Sequence, residues 1–153
     1  MEGRSIAQKI GRFLFDFLTY LVIVAGILFG LPKFLSWSLN TSYPMAAITS
    51  GSMWPSLKEG ELVFIEGVEK SDLRKGDIVV YRNSVGGTFT IHRIVALGET
   101  TLTTKGDANF NEDTPVSYEQ VVGRSLTFGG RNIHIPYLGS ITVFANNVRE
   151  QRE

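Results

Sequence analysis

The sequence lacks cysteine altogether and has no excess of either charge, since its fifteen basic and fifteen acidic residues balance over 153 positions. Without cysteine there can be no thiol nucleophile, no disulfide framework and no thiolate metal site. Balanced charge excludes the broad basic field by which proteins bind nucleic acid, so we expect no nucleic-acid partner. Histidine is scarce too, with two residues, so few positions can supply a general base near neutral pH.

One stretch near the N-terminus is almost free of charge. Between residues 13 and 39 the only charged side chains are Asp16 and Lys33, and residues 17–31 carry none. A helix needs about 20 apolar residues to cross the hydrocarbon core of a bilayer. The uncharged run has apolar flanks, and the long side chain of Lys33 can reach the headgroups. We therefore predict a transmembrane anchor over residues 13–39, with the lipid bilayer as its partner.

Two other interpretations of this stretch fit less well. A cleaved secretory signal would end in a small-residue cleavage site, whereas this run ends in Pro-Lys-Phe-Leu-Ser-Trp-Ser. A buried helix that is apolar on every face would need a larger protein around it. Residues 1–12 carry three basic side chains against one acidic one. This flank predicts a cytoplasmic N-terminus and a single pass, with everything after Leu39 on the other side of the membrane.

After the anchor, short segments rich in valine, isoleucine, threonine and aromatic residues alternate with glycine, asparagine and aspartate. This texture is typical of β structure and predicts a mainly β domain over residues 40–148, a folded sheet or barrel, with a tail at 149–153. Residues 141–148 are too short and too polar to span a bilayer. Strands are predicted at residues 62–68, 77–81, 88–97, 101–104, 121–128 and 133–135, the second and third forming a hairpin.

Ser52 is the first candidate for chemistry. It lies in Ser50-Gly51-Ser52-Met53-Trp54-Pro55, soon after the predicted anchor. A serine beside glycine in a tight turn that ends in proline can present its hydroxyl and its backbone N–H outward, as a nucleophile must. The same pattern is also typical of a plain Ser/Gly turn. Ser50, two residues earlier, can lend its hydroxyl to an oxyanion.

A serine nucleophile needs a base that is largely deprotonated near neutral pH, and histidine suits that role. His92 lies in the middle of the predicted strand Thr-Ile-His-Arg-Ile-Val, where a polar ring requires a partner. Its other interpretation is a core histidine with satisfied hydrogen bonds. His134, near the C-terminus, fits a structural role better.

The polar loop at residues 105–113 carries three acids, Asp107, Glu112 and Asp113. One of them can orient the histidine. A turn held by side-chain hydrogen bonds is the plainer interpretation for Asp107. A calcium loop fits poorly, because the regular spacing of acidic ligands and the closing glutamate are missing. We expect no metal and no cofactor.

Together these segments resemble the type I signal peptidases, membrane serine proteases that remove signal peptides from exported proteins. The resemblance extends in order over residues 12–140. Its blocks are Ser50-Gly-Ser-Met-Trp-Pro55, Gly60-Glu-Leu-Val63, Lys75-Gly-Asp-Ile-Val-Val-Tyr81, Ile91-His-Arg-Ile-Val95, Thr104-Lys-Gly-Asp-Ala-Asn109, Val121-Val-Gly-Arg124 and Ile135-Pro-Tyr-Leu-Gly139.

The resemblance is to the branch of the family that uses a histidine base, found in archaea, in some Gram-positive bacteria and in the endoplasmic reticulum. It implies Ser52 as nucleophile, His92 as base, Asp113 as the acid that supports the imidazole and Asp107 as a second supporting acid. The Ser52 backbone N–H and the Ser50 hydroxyl are implied as the oxyanion hole. The sequence departs from many relatives in having Glu112 before Asp113, where they show two aspartates.

By this resemblance the chain is expected to be a membrane-bound serine endopeptidase in protein secretion. Its substrates would be preproteins that carry signal peptides, its membrane the cell membrane or that of the endoplasmic reticulum, and other subunits of a processing complex its further partners. Two alternatives stay open. One is a Ser-Lys dyad that uses Lys70, Lys75 or Lys105, and the other is a noncatalytic, membrane-tethered β domain that acts as a scaffold or subunit.

Overall fold

A computed structural model of the chain describes residues 6–83 and 87–140. The chain divides into two units, Met1–Ser38 and Leu39–Glu153. Residues 141–148, which end the predicted β domain, and the predicted tail at 149–153 lie outside the described residues.

The first unit is a long helical segment. It consists of α1 (Ile6–Ala25), a π-helical turn (Gly26–Gly30) and α2 (Leu31–Ser38). Among the described residues, one helical stretch is long and apolar enough to cross a membrane, and it is the part of this segment over Gln8–Ser38, with 31 residues and a mean hydropathy of 2.2 in its most apolar stretch. At about 1.5 Å per residue it exceeds the roughly 30 Å of a hydrocarbon core. The helix covers the predicted anchor as far as Ser38.

The second unit is built from short antiparallel strands, ten of them within the described residues. They are β1 (Met45–Ala47), β2 (Leu62–Glu66), β3 (Ile78–Arg82), β4 (Phe89–Leu97), β5 (Thr101–Lys105), β6 (Val116–Ser117), β7 (Val121–Ser125), β8 (Thr127–Phe128), β9 (Arg131–Asn132) and β10 (His134–Ile135). Eight strands form one sheet in the order β1-β2-β7-β3-β4-β5-β6, with β10 also pairing β2, while β8 and β9 form a hairpin. The prediction of a mainly β fold that follows one long apolar helix in the sequence is confirmed.

The predicted hairpin is present as β3 and β4, which pair in antiparallel register. The segment predicted at 121–128 holds two strands, because β7 ends at Ser125 and β8 begins at Thr127. The sequence prediction missed β1, β6 and β9. With only two or three residues each, these strands are too short to show the alternation by which strands are recognised.

Strand β3 lies between two apolar cores and is buried on both faces. Its unbroken apolar run is typical of a strand covered on both sides. Val79 on β3 lies opposite His92 on β4, and residues opposite each other in a pair of strands share a face, so the imidazole lies on the face of the second core. The buried members of the first core are Ile48, Met53, Leu57, Val63, Ile65, Ile78 and Val80, and those of the second are Leu73, Val79, Tyr81, Ile94, Leu102 and Val116.

Gly123 and Arg124 show a structural role for one of the sequence blocks. A Cβ at Gly123 would lie 2.4 Å from the backbone oxygen of Glu66, so β7 can approach β2 this closely only with glycine. Arg124 donates from Nε to Glu66 Oε1 at 2.8 Å, and its Nη1 is 3.4 Å from Asp77 Oδ2. The block at residues 121–124 therefore holds β7 in place between β2 and β3, at the centre of the sheet.

Candidate active site

Ser52 lies in a short 3₁₀ turn, Gly51–Met53, that follows β1. Met53 is 1% exposed and packs in the first core, which fixes one end of the turn. The carbonyl of Ser52 accepts the N–H of Ala108 at 2.9 Å, which fixes the turn against the loop after β5. The buried neighbour and the held carbonyl leave the half-buried Ser52 side chain directed at His92.

The side chains of Ser52, His92 and Asp113 form a hydrogen-bonded line. Nε2 of His92 is 3.2 Å from Oγ of Ser52, and Nδ1 of the same ring is 2.6 Å from Oδ2 of Asp113. The histidine is 8% exposed. Because a carboxylate only accepts hydrogen bonds, Nδ1 carries the ring proton and Nε2 presents its lone pair to the serine hydroxyl. This is the tautomer that can take a proton from the serine.

Ser50 lies beside this line. Its Oγ is 3.1 Å from the Oγ of Ser52. Its backbone is extended, with φ −146° and ψ 163°, and its side chain is exposed at the start of the turn. The Ser50 hydroxyl therefore lies within hydrogen-bond distance of the hydroxyl of Ser52.

Asp107 lies on the other side of β4 from the imidazole and pairs with Arg93. Nε of Arg93 donates to Oδ1 at 2.8 Å and Nη2 donates to Oδ2 at 2.7 Å. Burial tends to raise the pKa of Asp107, but hydrogen bonds from Arg93 and Ser56 outweigh it and leave the pKa below its ordinary value. Asp107 thus stabilises the loop that holds the Ser52 carbonyl and makes no direct bond to His92.

The sequence analysis missed two residues around Asp113. Thr104 Oγ1 donates to Asp113 Oδ2 at 2.7 Å, and Tyr81 Oη donates to the same oxygen at 3.2 Å. A signal for Thr104 was available, because it follows Leu102 by two positions and must share its buried face, where a hydroxyl requires a partner.

The remaining candidates lie elsewhere. Glu112 is exposed, although it adjoins Asp113. His134 on β10 is 3.1 Å from Glu61 through its Nδ1, which suits the structural role expected of it. Lys70 bonds the backbone carbonyl of Glu99 and stacks over a tyrosine ring. Among the described residues that line the groove at Ser52, none is a lysine.

A groove of about 680 Å³ opens in front of Ser52 and His92. Its lining includes Ala46 and Ala47 of β1 on one side and Phe89 to His92 of β4 on the other. Among the described strands, β1 ends the order of the sheet, so one of its edges pairs with no described strand. A groove bounded by strand edges suits an extended peptide, whose backbone can continue the sheet.

Comparison with known proteins agrees with this site. The family model described as "Signal peptidase, peptidase S26" matches residues 14–127. The signal peptidase complex catalytic subunit SEC11C of Homo sapiens is 29% identical over 117 residues, which are 68% of this chain and 58% of that protein. The corresponding subunit SEC11 of Leptosphaeria maculans is 31% identical over 157 residues, covering 94% of this chain and 82% of that protein.

The chain thus spans 58% of the length of the SEC11C relatives that it matches. The family model, however, covers well over half of the chain, and it includes the Ser52 turn, the His92 strand and the Asp113 loop. The chain therefore belongs to the signal peptidase family, peptidase S26.

Proposed function

We propose that this chain is a membrane-bound serine endopeptidase that removes N-terminal signal peptides from exported preproteins. The observation that carries the proposal is the line from Ser52 Oγ through both nitrogens of His92 to Asp113, at 3.2 Å and 2.6 Å, beside a groove that suits an extended peptide. Ser52 is the nucleophile, His92 the general base and Asp113 the acid that orients the imidazole. Asp107 is a supporting residue that acts through Arg93 and the loop.

In the proposed reaction, Oγ of Ser52 attacks the carbonyl carbon of the scissile peptide bond while Nε2 of His92 takes its proton. The tetrahedral intermediate collapses, the C–N bond breaks, and the imidazolium returns the proton to the leaving amine. Water then attacks the Ser52 ester with His92 again as base, which releases the signal peptide. Asp113 stabilises the imidazolium in both halves of the cycle.

The oxyanion of the intermediate is proposed to accept hydrogen bonds from the Ser52 N–H and the Ser50 hydroxyl. These donors develop their full effect only when the carbonyl oxygen becomes negative, so they lower the barrier without tightening substrate binding. Loss of one such donor typically lowers the rate about 10²-fold to 10³-fold.

The setting of the reaction is part of the proposal. We infer a cytoplasmic segment at residues 1–12, an anchor at 13–39 and a catalytic domain at 40–148 on the other face of the membrane. The long apolar helix supports the anchor. The relatives are named as catalytic subunits of a signal peptidase complex, which supports the further proposal that this chain works with other subunits, in the endoplasmic reticulum or cell membrane.

The test is cleavage of a preprotein in detergent by the purified full chain. Wild type is expected to release the signal peptide, and Ser52→Ala and His92→Ala are expected to lose the activity. Ser71→Ala is the matched control, because Ser71 is exposed and does not line the groove. Unimpaired processing by either active-site variant would reject the mechanism, and an inactive wild type would favour the noncatalytic β domain. Loss of activity on replacing Lys70, Lys75 or Lys105 alone would favour the dyad.

A further inference from the structure

The carboxylate of Asp113 is surrounded by more donors than His92 alone provides. Three groups converge on its Oδ2 atom: His92 Nδ1 at 2.6 Å, Thr104 Oγ1 at 2.7 Å and Tyr81 Oη at 3.2 Å. Thr104 lies on β5 and Tyr81 on β3, the two strands that flank β4, and both residues are buried. They come from the rigid sheet, whereas Asp113 comes from a loop.

Thr104 holds Asp113 at two points. Its side-chain hydroxyl donates to the carboxylate, and its backbone carbonyl accepts the N–H of Asp113 at 2.8 Å. The threonine is fully buried, with 0% exposure. Two acceptors lie within reach of this hydroxyl, Asp113 Oδ2 at 2.7 Å and Tyr81 Oη at 3.4 Å, and the shorter contact to the charged carboxylate takes its proton.

Tyr81 adds a weaker and longer bond to the same oxygen. The residue is 6% exposed, and burial, aided by the negative charge of Asp113, raises the pKa of its phenol. The phenol is therefore protonated throughout the neutral range and acts as a donor.

The carboxylate has an alternative to facing the imidazole. A second cavity of about 290 Å³, which like the groove borders His92, reaches Asp113, and its lining includes the polar residues Asn83, Thr114 and Gln120. A loop aspartate without fixed donors can turn toward water in such a cavity, and the imidazole would then lose its orienting partner.

We propose that Thr104, assisted by Tyr81, is a positioning residue that fixes the Asp113 carboxylate against His92 and away from the second cavity. The proposal rests on the function proposed above. Neither hydroxyl touches the reacting atoms. Thr104 does not line the substrate groove, so its loss acts on the chemical step and leaves substrate binding alone.

Thr104→Val tests the proposal, because it removes the hydroxyl but keeps the shape of the side chain and the backbone bond to Asp113. With a quenched peptide that carries an Ala-x-Ala cleavage site, we expect kcat to fall about tenfold to a hundredfold with KM unchanged. Thr104→Ser restores a hydroxyl and is expected to recover most of kcat. Tyr81→Phe is expected to lower kcat about threefold, since its bond is longer.

A matched control lies next to Thr104 on the same strand. Thr103 points to the opposite face of β5, away from Asp113. We therefore expect Thr103→Val to have the kcat of wild type. Thermal unfolding of every variant, followed by circular dichroism in detergent, separates misfolding from lost chemistry. If Thr104→Val does not fold, Tyr81→Phe and Thr104→Ser decide the question.

The strongest readout uses a background without the carboxylate. If Thr104 acts through Asp113, then adding Thr104→Val to Asp113→Ala costs no further activity. A folded Thr104→Val enzyme with wild-type kcat, or a loss that multiplies with that of Asp113→Ala, would overturn the proposal. Either result leaves the proposed function intact, because the proposed function fails only if wild type does not cleave the preprotein or if Ser52→Ala or His92→Ala still cleaves it unimpaired.

Discussion

His92 and Arg93 are consecutive on β4, and each pairs with an aspartate from the loop that follows β5. His92 bonds Asp113 on the face of the second core, and Arg93 bonds Asp107 on the opposite face. The first pair leads to the side chain of Ser52, while the second braces the loop that holds the Ser52 carbonyl. Two similar pairs thus serve different purposes because strand alternation directs His92 and Arg93 to opposite faces of β4.

The chemical difference lies in the cation. A guanidinium keeps its proton at every pH that a protein tolerates, so the Arg93 pair can only hold structure. An imidazole exchanges its proton near neutral pH, so the His92 pair can take part in a proton transfer. The comparison teaches that the position of an acid in a loop says little about its role until its partner is known.

The largest effect is expected for Asp113→Asn. The amide can donate to Nδ1, which favours the tautomer whose Nε2 already carries a proton and cannot accept one from Ser52. We expect kcat to fall about 10³-fold to 10⁴-fold while the fold is preserved. Steady-state kinetics on a quenched signal-peptide substrate checks this. A loss of less than about tenfold would remove Asp113 from the proposed machinery.

A smaller effect is expected for Asp107→Asn. The substitution removes the ion pair with Arg93 but leaves the line from Ser52 to Asp113 in place. We expect the free energy of unfolding to fall by about 1–3 kcal/mol, with a loss of about tenfold in kcat/KM as the Ser52 turn loosens. Thermal unfolding and kinetics of this variant are compared with Asp72→Asn, whose carboxylate is exposed. A loss as large as that of Asp113→Asn would contradict the division of roles.

Asp107 is also expected to contribute to the stability of the fold against acid. The pKa of Asp107 is lower in the folded chain than its ordinary value of 3.8. Its ionised form therefore stabilises the fold above about pH 4, and this contribution is lost as the pH falls through the folded value. Melting temperatures measured in detergent between pH 7 and pH 3 should fall more steeply for wild type than for Asp107→Asn. Parallel curves would contradict the assignment.

The smallest effect is expected for Glu112→Gln. This side chain adjoins Asp113 but is exposed, so its removal should change kcat/KM less than about twofold. Comparing kcat/KM of Glu112→Gln and Asp113→Asn shows which of the two adjacent acids orients the imidazole. A large loss for Glu112→Gln would place the acid one residue earlier in the loop.

Much of the fold could be predicted because its long strands carry strong patterns. Strands β3 and β4 could be predicted from an apolar run and a long alternating segment, and the long apolar helix from an absence of charge. Strands β1, β6 and β9 could not be predicted, because their pairing depends on neighbours brought together by the fold and not on their own few residues. Because β1 forms one side of the groove, the sequence predicts the groove less well than it predicts the candidate catalytic side chains.

The candidate site divides in the same way. Ser52, His92 and Asp113 were identified from their residue types and from the ordered sequence blocks that resemble those of signal peptidases. In the structure, His92 lies within hydrogen-bond distance of both other side chains. What distinguishes Asp113 from Asp107 is which face of β4 each loop aspartate reaches, and spacing alone does not show this. Thr104 and Tyr81 were missed because each reads as an ordinary strand residue until Asp113 lies beside it.

The most direct test of the account compares Ser52→Ala, His92→Ala and the double variant on one signal-peptide substrate. When two groups act in a single proton transfer, removing either one abolishes that transfer. Removing the second group then lowers the rate no further. We predict the same residual rate for all three enzymes. A double variant whose loss is the product of the two single losses would mean that Ser52 and His92 work independently, and it would contradict the central claim.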